Sequence, residues 1–166
     1  MKVAIYETLA DPAKEIRKKV FIDEQGFQDE YDEIDETAVH FVLFEDGWLP
    51  DERSTTGRSA VKRSTTERSA IKRSTIERSA IATCRVFWNE EMNAFALGRL
   101  AVIAESRGKN IGSILVNEVE KYVRLRGGTE IVLHAQCRAT GFYGKLGFVE
   151  FGEVQDEEGC PHIWMR

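Results

Sequence analysis

The first part of the chain carries a strand pattern followed by a helix pattern. Apolar and polar residues alternate in KVAIYE (2–7), which is typical of a strand with one buried face. Asp11 and Pro12 come next, and these residue types predict an N-cap and the first position of a helix. The apolar face of that helix consists of Ile16, Val20 and Phe21. An acidic segment, GFQDEYDEIDE (26–36), separates the helix from the next apolar run.

The rest of the chain continues this exchange of strands and helices. Apolar runs predict strands at 39–45, 81–88, 94–104, 130–136, 148–154 and 162–166. The longest helix is predicted to begin near Ile111, because apolar residues recur from there at three- and four-residue spacing, and to end at Gly127 and Gly128. A short helix follows in ATGFYGKLG (139–147). The order β-α-β-β-β-α-β-α-β-β indicates an α/β fold with a mixed sheet of about six or seven strands and at least one right-handed crossover.

Residues 53–82 interrupt this pattern with three copies of a ten-residue unit: RSTTGRSAVK, RSTTERSAIK and RSTIERSAIA. Such a unit is too short to form a packable element, because the repeats of solenoids and propellers run about 20–50 residues. Residues 51–82 hold 8 basic and 4 acidic residues (8 − 4 = +4), whereas the rest of the chain holds 15 and 24 (15 − 24 = −9). We therefore predict a single domain, 1–166, with a solvated loop insertion at about 51–80. We interpret the insertion as a neutral tandem duplication; a basic arm for an acidic partner and a phosphorylation target at KRST (62–65) are the alternatives.

Composition narrows the class of protein. The chain has 166 residues, of which 42% are hydrophobic, enough for one core. The formal net charge of −5 gives no general reason to expect nucleic-acid binding. No run approaches the roughly 20 apolar residues of a membrane span, and the first residues lack the apolar segment of a signal peptide. The three cysteines are widely spaced without a C-x-x-C pair and suggest neither a disulfide framework nor a metal site, so we expect a cytoplasmic protein.

The stretch with the clearest chemistry is SRGKNIGSIL (106–115), where a strand is followed by the longest helix. Two glycines and two cations stand at this junction. Amide groups at a helix start have no intrahelical acceptor and carry partial positive charge, glycine lets a ligand approach the backbone, and Arg or Lys adds charge. The stretch therefore predicts a phosphate site; a tight β–α turn with incidental cations is the alternative.

Five pieces of the chain resemble one family. RLAVIAESRGKNIGSIL (99–115) and FYGKLGF (142–148) resemble the coenzyme A signature and the second signature of the GNAT acyl-CoA N-acyltransferase superfamily. VFIDEQGF (20–27), LHAQ (133–136) and EEGCPHIWM (157–165) are similar to the ElaA-like branch of small bacterial acetyltransferases. The pieces stand in the family's order, and the resemblance covers the whole chain outside the repeat insertion. It implies the GNAT fold and an acetyl-CoA-dependent N-acetyltransferase.

The resemblance also assigns residues to the binding of acetyl-CoA. The backbone of the strand before the turn is expected to pair with the pantetheine arm, an N–H at or beside Val102 to polarise the thioester carbonyl, and the turn to hold the pyrophosphate. The residues so assigned are Leu100, Ala101, Val102, Arg107, Gly108, Lys109, Asn110, Ile111, Gly112 and Phe142. Asn110 replaces a glycine of the signature. We expect the turn to form nonetheless, because Asn tolerates positive φ better than other non-glycine residues.

Three residues are candidates for the chemistry. Tyr143 stands where the hydroxyl of many relatives serves as general acid, with packing beside Phe142 as the alternative role. His134 is a candidate base because imidazole titrates near neutrality; a hydrogen-bonded structural histidine is the alternative. Glu24 is a second candidate base, expected near the cleft between the two halves of the sheet.

Other polar residues near the predicted strands are given structural roles. His40 and His162 flank apolar strands and are interpreted as structural. Arg99 faces away from Leu100 in an alternating strand, and it is expected to contact either the substrate or the acidic loop. The run DEYDEIDE (29–36) is interpreted as a solvated face, with attraction of a cationic amine as the alternative.

The leading prediction is transfer of an acetyl group to a primary amine, on a small molecule or a protein, within a ternary complex. We expect a monomer or homodimer that needs no metal and contacts neither nucleic acid nor membrane. Two alternatives remain open. One is a non-catalytic CoA-binding or interaction module whose docking arm is the Arg/Ser/Thr repeat. The other is an enzyme like the acyl-homoserine-lactone synthases, which share the sheet but usually lack this turn.

Overall fold

The computed structural model describes residues 1–45 and 79–166. That part of the chain forms the strands β1 (Lys2–Tyr6), β2 (Val39–Phe44), β3 (Ala80–Asn89), β4 (Ala94–Val102), β5 (Ile131–Gln136), β6 (Glu150–Glu157) and β7 (Cys160–Met165). Its α-helices are α1 (Asp11–Arg17), α2 (Ile111–Leu125) and α3 (Thr140–Gly144). All of these strands join into one 7-stranded mixed sheet in the order β1-β2-β3-β4-β5-β7-β6. The predicted order of elements and the predicted α/β class are confirmed.

The sheet opens at its centre, between β4 and β5. This pair is parallel and its helical connection is α2, as a parallel pair requires, whereas the other neighbouring strands are antiparallel. The register of β4 with β5 runs only from Phe95↔Ile131 to Leu97↔Leu133. Beyond Leu97 the two strands separate, although both continue. The gap leaves backbone groups of β4 without a neighbouring strand on that side.

The two faces of the sheet are covered by different helices. Helix α2 packs on one face with side chains at three- and four-residue spacing: Ile111, Leu115, Val116, Val119 and Val123. Removing such a side chain from water contributes about 1.5–3 kcal/mol. Helix α1 covers part of the other face, where Ile16 and Val20 pack with Val42 and Phe44. No helix in the two described ranges has both the length and the apolar character needed to cross a membrane.

The start of α1 differs from the prediction by one residue. Ala10, not Asp11, is the N-cap, with an extended backbone at φ −73° and ψ 149°. Its carbonyl oxygen accepts hydrogen bonds from the amides of Ala13 and Lys14. Asp11 and Pro12 lie inside the first turn, where proline is tolerated because the first helical amides lack an acceptor. The predicted side-chain cap by Asp11 is therefore wrong, and its carboxylate instead lies near the positive end of the helix.

Strands β2 and β3 form the hairpin that holds the predicted insertion. Phe44 pairs with Ala80, and the amide nitrogen of Glu45 lies 3.4 Å from the carbonyl oxygen of Ser79. The chain therefore leaves the sheet and returns to it at adjacent points. Strand β3 begins at Ala80, one residue before the predicted strand. Residues 46–78, which include most of the repeat and the KRST sequence, lie outside the described residues.

The acidic segment is only in part the solvated face that was predicted: Asp29, Glu33 and Glu36 are exposed, but two other carboxylates are buried. Glu30 and Asp35 are only 3% and 6% exposed, and both accept hydrogen bonds from the guanidinium group of Arg17, itself 1% exposed. Arg85 of β3 donates to Asp32 and Asp35 at distances of 2.5–2.9 Å. A buried ion needs a partner of opposite charge, because leaving water costs several kcal/mol per ion. These carboxylates thus anchor the segment to the domain.

Candidate active site

Two cavities meet where β4 and β5 separate. The first, termed the turn cavity, has a volume of about 960 Å³ and lies against the end of β4 and the turn that starts α2. The second, termed the acidic cavity, has a volume of about 660 Å³ and lies against the acidic segment and the β6–β7 hairpin. Both cavities are lined by Gln25, Leu100, Gln136, Ala139 and Tyr143. These shared residues define a junction at which ligands in the two cavities would meet.

The turn before α2 has a left-handed backbone at two residues. Asn110, the N-cap of α2, has φ 61° and ψ 16°, and Gly108 has φ 74°. The turn thus forms with Asn110 in the place of glycine, as predicted, because asparagine adopts this region more readily than other side chains do. Ile111 and Gly112 follow and line the turn cavity. The first amides of α2, which lack intrahelical acceptors, therefore lie at a wall of this cavity, where they suit an anion.

A close contact joins the second signature to the first. A Cβ atom placed on Gly112 would lie 3.0 Å from Cζ of Phe142, closer than side chains normally approach. Phe142 belongs to α3 and also lines the turn cavity. Glycine at position 112 therefore lets α3 pack directly on the first turn of α2.

Arg107 connects the turn to two other elements. Its Nε donates to the carbonyl oxygen of Val102 at 2.9 Å, and its two terminal nitrogens donate to the two carboxylate oxygens of Glu24 at 2.6 Å each. Glu24 is carried there by a π-helical segment, Lys18–Glu24, that continues α1. The hydrogen bonds from Arg107 lower the pKa of Glu24, so that its carboxylate stays ionised. Glu24 thus lines the turn cavity and not the acidic cavity.

Strand β4 is irregular where it lines the junction. Its register with β3 shifts beside Gly98, and Arg99 has φ 53°, a left-handed backbone that is uncommon for an arginine. The guanidinium group of Arg99 lies 3.2 Å from the carboxylate of Glu30 and 3.4 Å from that of Asp32. Of the two contacts expected for Arg99, the one with the acidic loop is present.

Tyr143 lies between the two cavities. It belongs to α3 and packs edge-on against Phe142 and Phe148, at ring-centroid distances of 4.9 and 6.0 Å. Burial raises the pKa of Tyr143, so its phenol keeps its proton at neutral pH. Tyr143 thus lines both cavities with a phenol that is protonated at neutral pH.

His134 lies in the acidic cavity, one residue beyond the last pair of β5 with β4. Its Nδ1 is 2.7 Å from Oε1 of Glu157, and its ring stacks on Trp164 with the centroids 4.7 Å apart. Its Nε2 is buried, with no hydrogen-bond partner among the residues that the structure describes. The histidine is therefore hydrogen-bonded at Nδ1, whereas its Nε2 has no partner in the described residues.

His162 and Glu157 belong to the same site, and sequence reasoning missed them. His162 is 6% exposed, its Nδ1 lies 2.8 Å from the carbonyl oxygen of Cys160, and its Nε2 lies 3.7 Å from Oε2 of Glu157. Its ring centroid is 5.2 Å from that of His134. The signal in the sequence was the alternation of His162 and Trp164, which places both side chains on one face of a strand. His40, by contrast, is buried beside the acidic segment, with Nε2 3.2 Å from the carbonyl oxygen of Asp35.

The sequence matches a family of acetyltransferases. The model of the acetyltransferase (GNAT) domain matches residues 84–166, half of the chain. This chain belongs to the GNAT acetyltransferase family. The predicted family is confirmed, and membership makes the protein an acyltransferase.

Individual relatives of this GNAT protein are distant. The uncharacterised protein YyaT of Bacillus subtilis is 26% identical over 158 residues, which cover 92% of this chain and 84% of YyaT. Protein ElaA of Escherichia coli is 30% identical over 78 residues, 46% of this chain and 51% of ElaA. The crystal structure of ElaA superposes on this protein with a TM-score of 0.69 at 20% identity. The superposition covers 99% of this chain and 98% of the ElaA chain. A Bacillus subtilis acetyltransferase in complex with CoA has a TM-score of 0.59 at 14% identity, with 99% and 95% covered. The structures show that the GNAT fold is shared.

The residues predicted for the GNAT site separate into groups. Of those predicted to bind the cofactor, the ones that line the turn cavity are Leu100, Ala101, Val102, Arg107, Gly108, Asn110, Ile111, Gly112 and Phe142. Lys109 is exposed in the same turn. Tyr143 lies at the junction, His134 lines the acidic cavity and Glu24 lines the turn cavity. Their roles stay predictions.

Proposed function

We propose that this GNAT acyltransferase moves an acetyl group from acetyl-CoA to a primary amine by direct transfer while both are bound. The acceptor is an amine of a small molecule or of a protein. The observation that carries the proposal is the junction at Tyr143 and Leu100, which line both cavities. A thioester that enters along the turn cavity and an amine that enters the acidic cavity would meet beside the Tyr143 hydroxyl.

The turn cavity fits coenzyme A. The first amides of α2 and the guanidinium group of Arg107 supply donors and charge for a pyrophosphate. The gap beside Leu100 and Ala101 offers backbone groups of β4 to an amide-containing arm such as pantetheine. The Val102 carbonyl already accepts from Arg107, so the arm would pair with the neighbouring groups. Bound acetyl-CoA supplies the acetyl group as a thioester.

The proton steps are assigned to two side chains. His134 accepts a proton from the acceptor amine, whose nitrogen forms a bond to the carbonyl carbon while the carbon–sulfur bond breaks. Tyr143 donates its proton to the departing thiolate and regains one from solvent. An acceptor that binds as an ammonium ion thus loses two protons, one to His134 before the attack and one to solvent afterwards. The thiol gains one proton, and His134 returns its proton to solvent. Each such general acid or base contributes roughly 10²–10⁴-fold in rate. A backbone N–H at or beside Val102 would stabilise the negative charge on the carbonyl oxygen.

Direct transfer is favoured over a covalent cysteine intermediate. The reactive form of cysteine is the thiolate. Cys84 lies in the core, 1% exposed, and burial raises its pKa, so that it stays a thiol. The other two cysteines, Cys137 and Cys160, line neither the turn cavity nor the acidic cavity. The amine would then attack the thioester itself, which requires both ligands to be bound at once.

The charge of the acidic cavity favours a cationic acceptor. The arginines that line it, Arg85 and Arg99, are paired with carboxylates of the acidic segment, namely Glu30, Asp32 and Asp35. Glu157 and Glu158 line the cavity in addition to these pairs. A primary amine is protonated at neutral pH and would be attracted to this surplus of negative charge. The cytoplasmic location and the monomeric or homodimeric state stay predictions.

The test has a binding part and a rate part. Titration calorimetry with acetyl-CoA measures binding, and a thiol-reactive dye measures CoA release against a panel of small amines and lysine peptides. Tyr143→Phe should lower kcat by about 10²-fold, with acetyl-CoA binding unchanged. Tyr122→Phe is the matched control, because it removes a tyrosine hydroxyl from α2, outside the residues that line the two cavities. Equal rates in both variants would refute the acid role; binding without any acetylated amine would favour the non-catalytic module.

A further inference from the structure

Glu157 is placed between two histidines at the end of β6. One of its carboxylate oxygens is 2.7 Å from Nδ1 of His134, and the other is 3.7 Å from Nε2 of His162. The three side chains come from three neighbouring strands, since β7 lies between β5 and β6 in the sheet. All three line the acidic cavity.

The hydrogen bonds determine which ring nitrogen of each histidine carries the proton. An ionised carboxylate only accepts, so the 2.7 Å contact requires a hydrogen on Nδ1 of His134. Nε2 of the same ring is buried and has no hydrogen-bond partner among the described residues, so no contact there calls for a second hydrogen. The tautomer that matches the contact with Glu157 carries its hydrogen on Nδ1 and a lone pair on Nε2. By the same reasoning the carbonyl oxygen of Cys160 requires a hydrogen on Nδ1 of His162.

We propose that Glu157 is a positioning residue for His134: it fixes the tautomer that leaves the Nε2 lone pair free to accept the proton of the acceptor amine. The proposal rests on the proposed acetyl transfer and adds a residue to it. Trp164 fixes the plane of the ring by stacking, and Glu157 fixes its rotation and its proton. Carboxylate–imidazole pairs orient histidines in this way in many hydrolytic enzymes and metal sites.

The other charged groups around the cavity do not duplicate this contact. Arg85 and Arg99 face the cavity from β3 and β4, and both are paired with carboxylates of the acidic segment. Glu158, the neighbour of Glu157, accepts hydrogen bonds from the backbone amides of Gln28 and Asp29 instead. His162 is held by its own carbonyl partner. Glu157 is thus the carboxylate that contacts His134 in the described part of the chain.

Glu157→Gln tests the proposal without changing the shape of the side chain. A glutamine can accept from Nδ1 with its oxygen or donate to Nδ1 with its nitrogen, so both tautomers of His134 become allowed. Proton–nitrogen correlation spectra of the imidazoles should show Nδ1–H alone for His134 in the wild type and a mixture in Glu157→Gln. Glu158→Gln is the matched control and should leave the His134 signals unchanged. The His162 signals should keep Nδ1–H in all three proteins.

Kinetics then separate positioning from substrate binding. Glu157→Gln should lower kcat at least about 10-fold, a part of the roughly 10²–10⁴ that a general base contributes, with a smaller change in KM for the amine. In a His134→Gln background the same substitution should lower kcat no further. A single unchanged tautomer in Glu157→Gln, or a loss of kcat that persists in the His134→Gln background, would overturn the proposal. A wild type that acetylates no amine overturns the proposed function, whereas the spectra still decide whether Glu157 sets the tautomer.

Discussion

The sharpest test of the fold concerns Arg17, whose guanidinium group is buried in the acidic segment. It donates to the side chain and backbone carbonyl of Glu30 and to both carboxylate oxygens of Asp35, at distances from 2.5 to 2.9 Å. Arg17→Met keeps most of the aliphatic volume and removes every one of these donors. Two carboxylates that are 3% and 6% exposed then lose a cation. Removing one partner of a buried ion pair costs about 3–5 kcal/mol. Arg85 still contacts Asp35 and Arg99 still contacts Glu30, so we expect the lower part of this range.

The assay is urea unfolding at pH 7, supported by thermal unfolding. A loss of about 3–5 kcal/mol corresponds to a fall in Tm of roughly 6–20 °C for a chain of this size. The control is Lys18→Met, which removes a neighbouring cation from the exposed pair with Asp23, whose side chains are 60% and 50% exposed. An exposed pair contributes about 0–1 kcal/mol, so this variant should be close to the wild type.

The pH dependence gives a second check. Burial raises the pKa of Asp35, but hydrogen bonds from Arg17 and Arg85 outweigh that effect and lower the pKa to about 2. A depressed pKa gives stability that is fully present above the unfolded value of 3.8 and is lost progressively as the pH falls from there through about 2. Burial raises the pKa of Glu30 in spite of its arginines, and without Arg17 the carboxyl should take up a proton more readily still. The difference in free energy of unfolding between wild type and Arg17→Met should therefore become smaller from pH 7 to pH 4.5. Equal stability of Arg17→Met and Lys18→Met, or a difference that does not change with pH, would refute the reasoning.

Two further predictions concern the turn cavity. Glu24→Gln should strengthen binding of acetyl-CoA roughly two- to five-fold, because a partly exposed carboxylate no longer competes with phosphate for Arg107. Calorimetry measures the affinity. A large loss of kcat with unchanged affinity would instead support Glu24 as the base. Gly112→Ala should weaken acetyl-CoA binding at least several-fold, because the added methyl group must displace the Phe142 ring. Gly141→Ala is the control: no atom lies within 4 Å of its added methyl group, so this variant should bind acetyl-CoA as the wild type does. Equal affinities of the two alanine variants would contradict the close packing of α2 and α3.

Local signals in the sequence predicted much of the fold and one half of the site. The spacing of apolar residues predicted α2, and the glycines and cations before it predicted the turn that Asn110 completes. These features depend on residues within one or two turns of each other, which is the range over which a pattern is visible. Arg17 was missed because its partners lie 13 and 18 residues away.

The other half of the site depends on the order of strands. His134 meets Glu157 across 23 residues of sequence, and it does so because β7 inserts between β5 and β6. The element order alone permits a sheet in which β6 follows β5 directly, and in that sheet His162 would not lie beside His134. The sequence shows which side chains of a strand share a face, whereas packing decides which strands become neighbours in the sheet.

The β2–β3 hairpin has a consequence for how this chain can change over time. Glu45 and Ser79 lie opposite each other, so the sheet specifies where the intervening chain starts and ends but not how long it is. Doubling the length of a flexible loop costs only about 0.6 kcal/mol in closure entropy. Slippage between these similar ten-residue units can therefore add or delete whole units at a point outside the gap between β4 and β5. Selection for catalysis would therefore not oppose changes in the number of repeat units at the end of this hairpin. Protein engineers could use the same position to insert a foreign peptide.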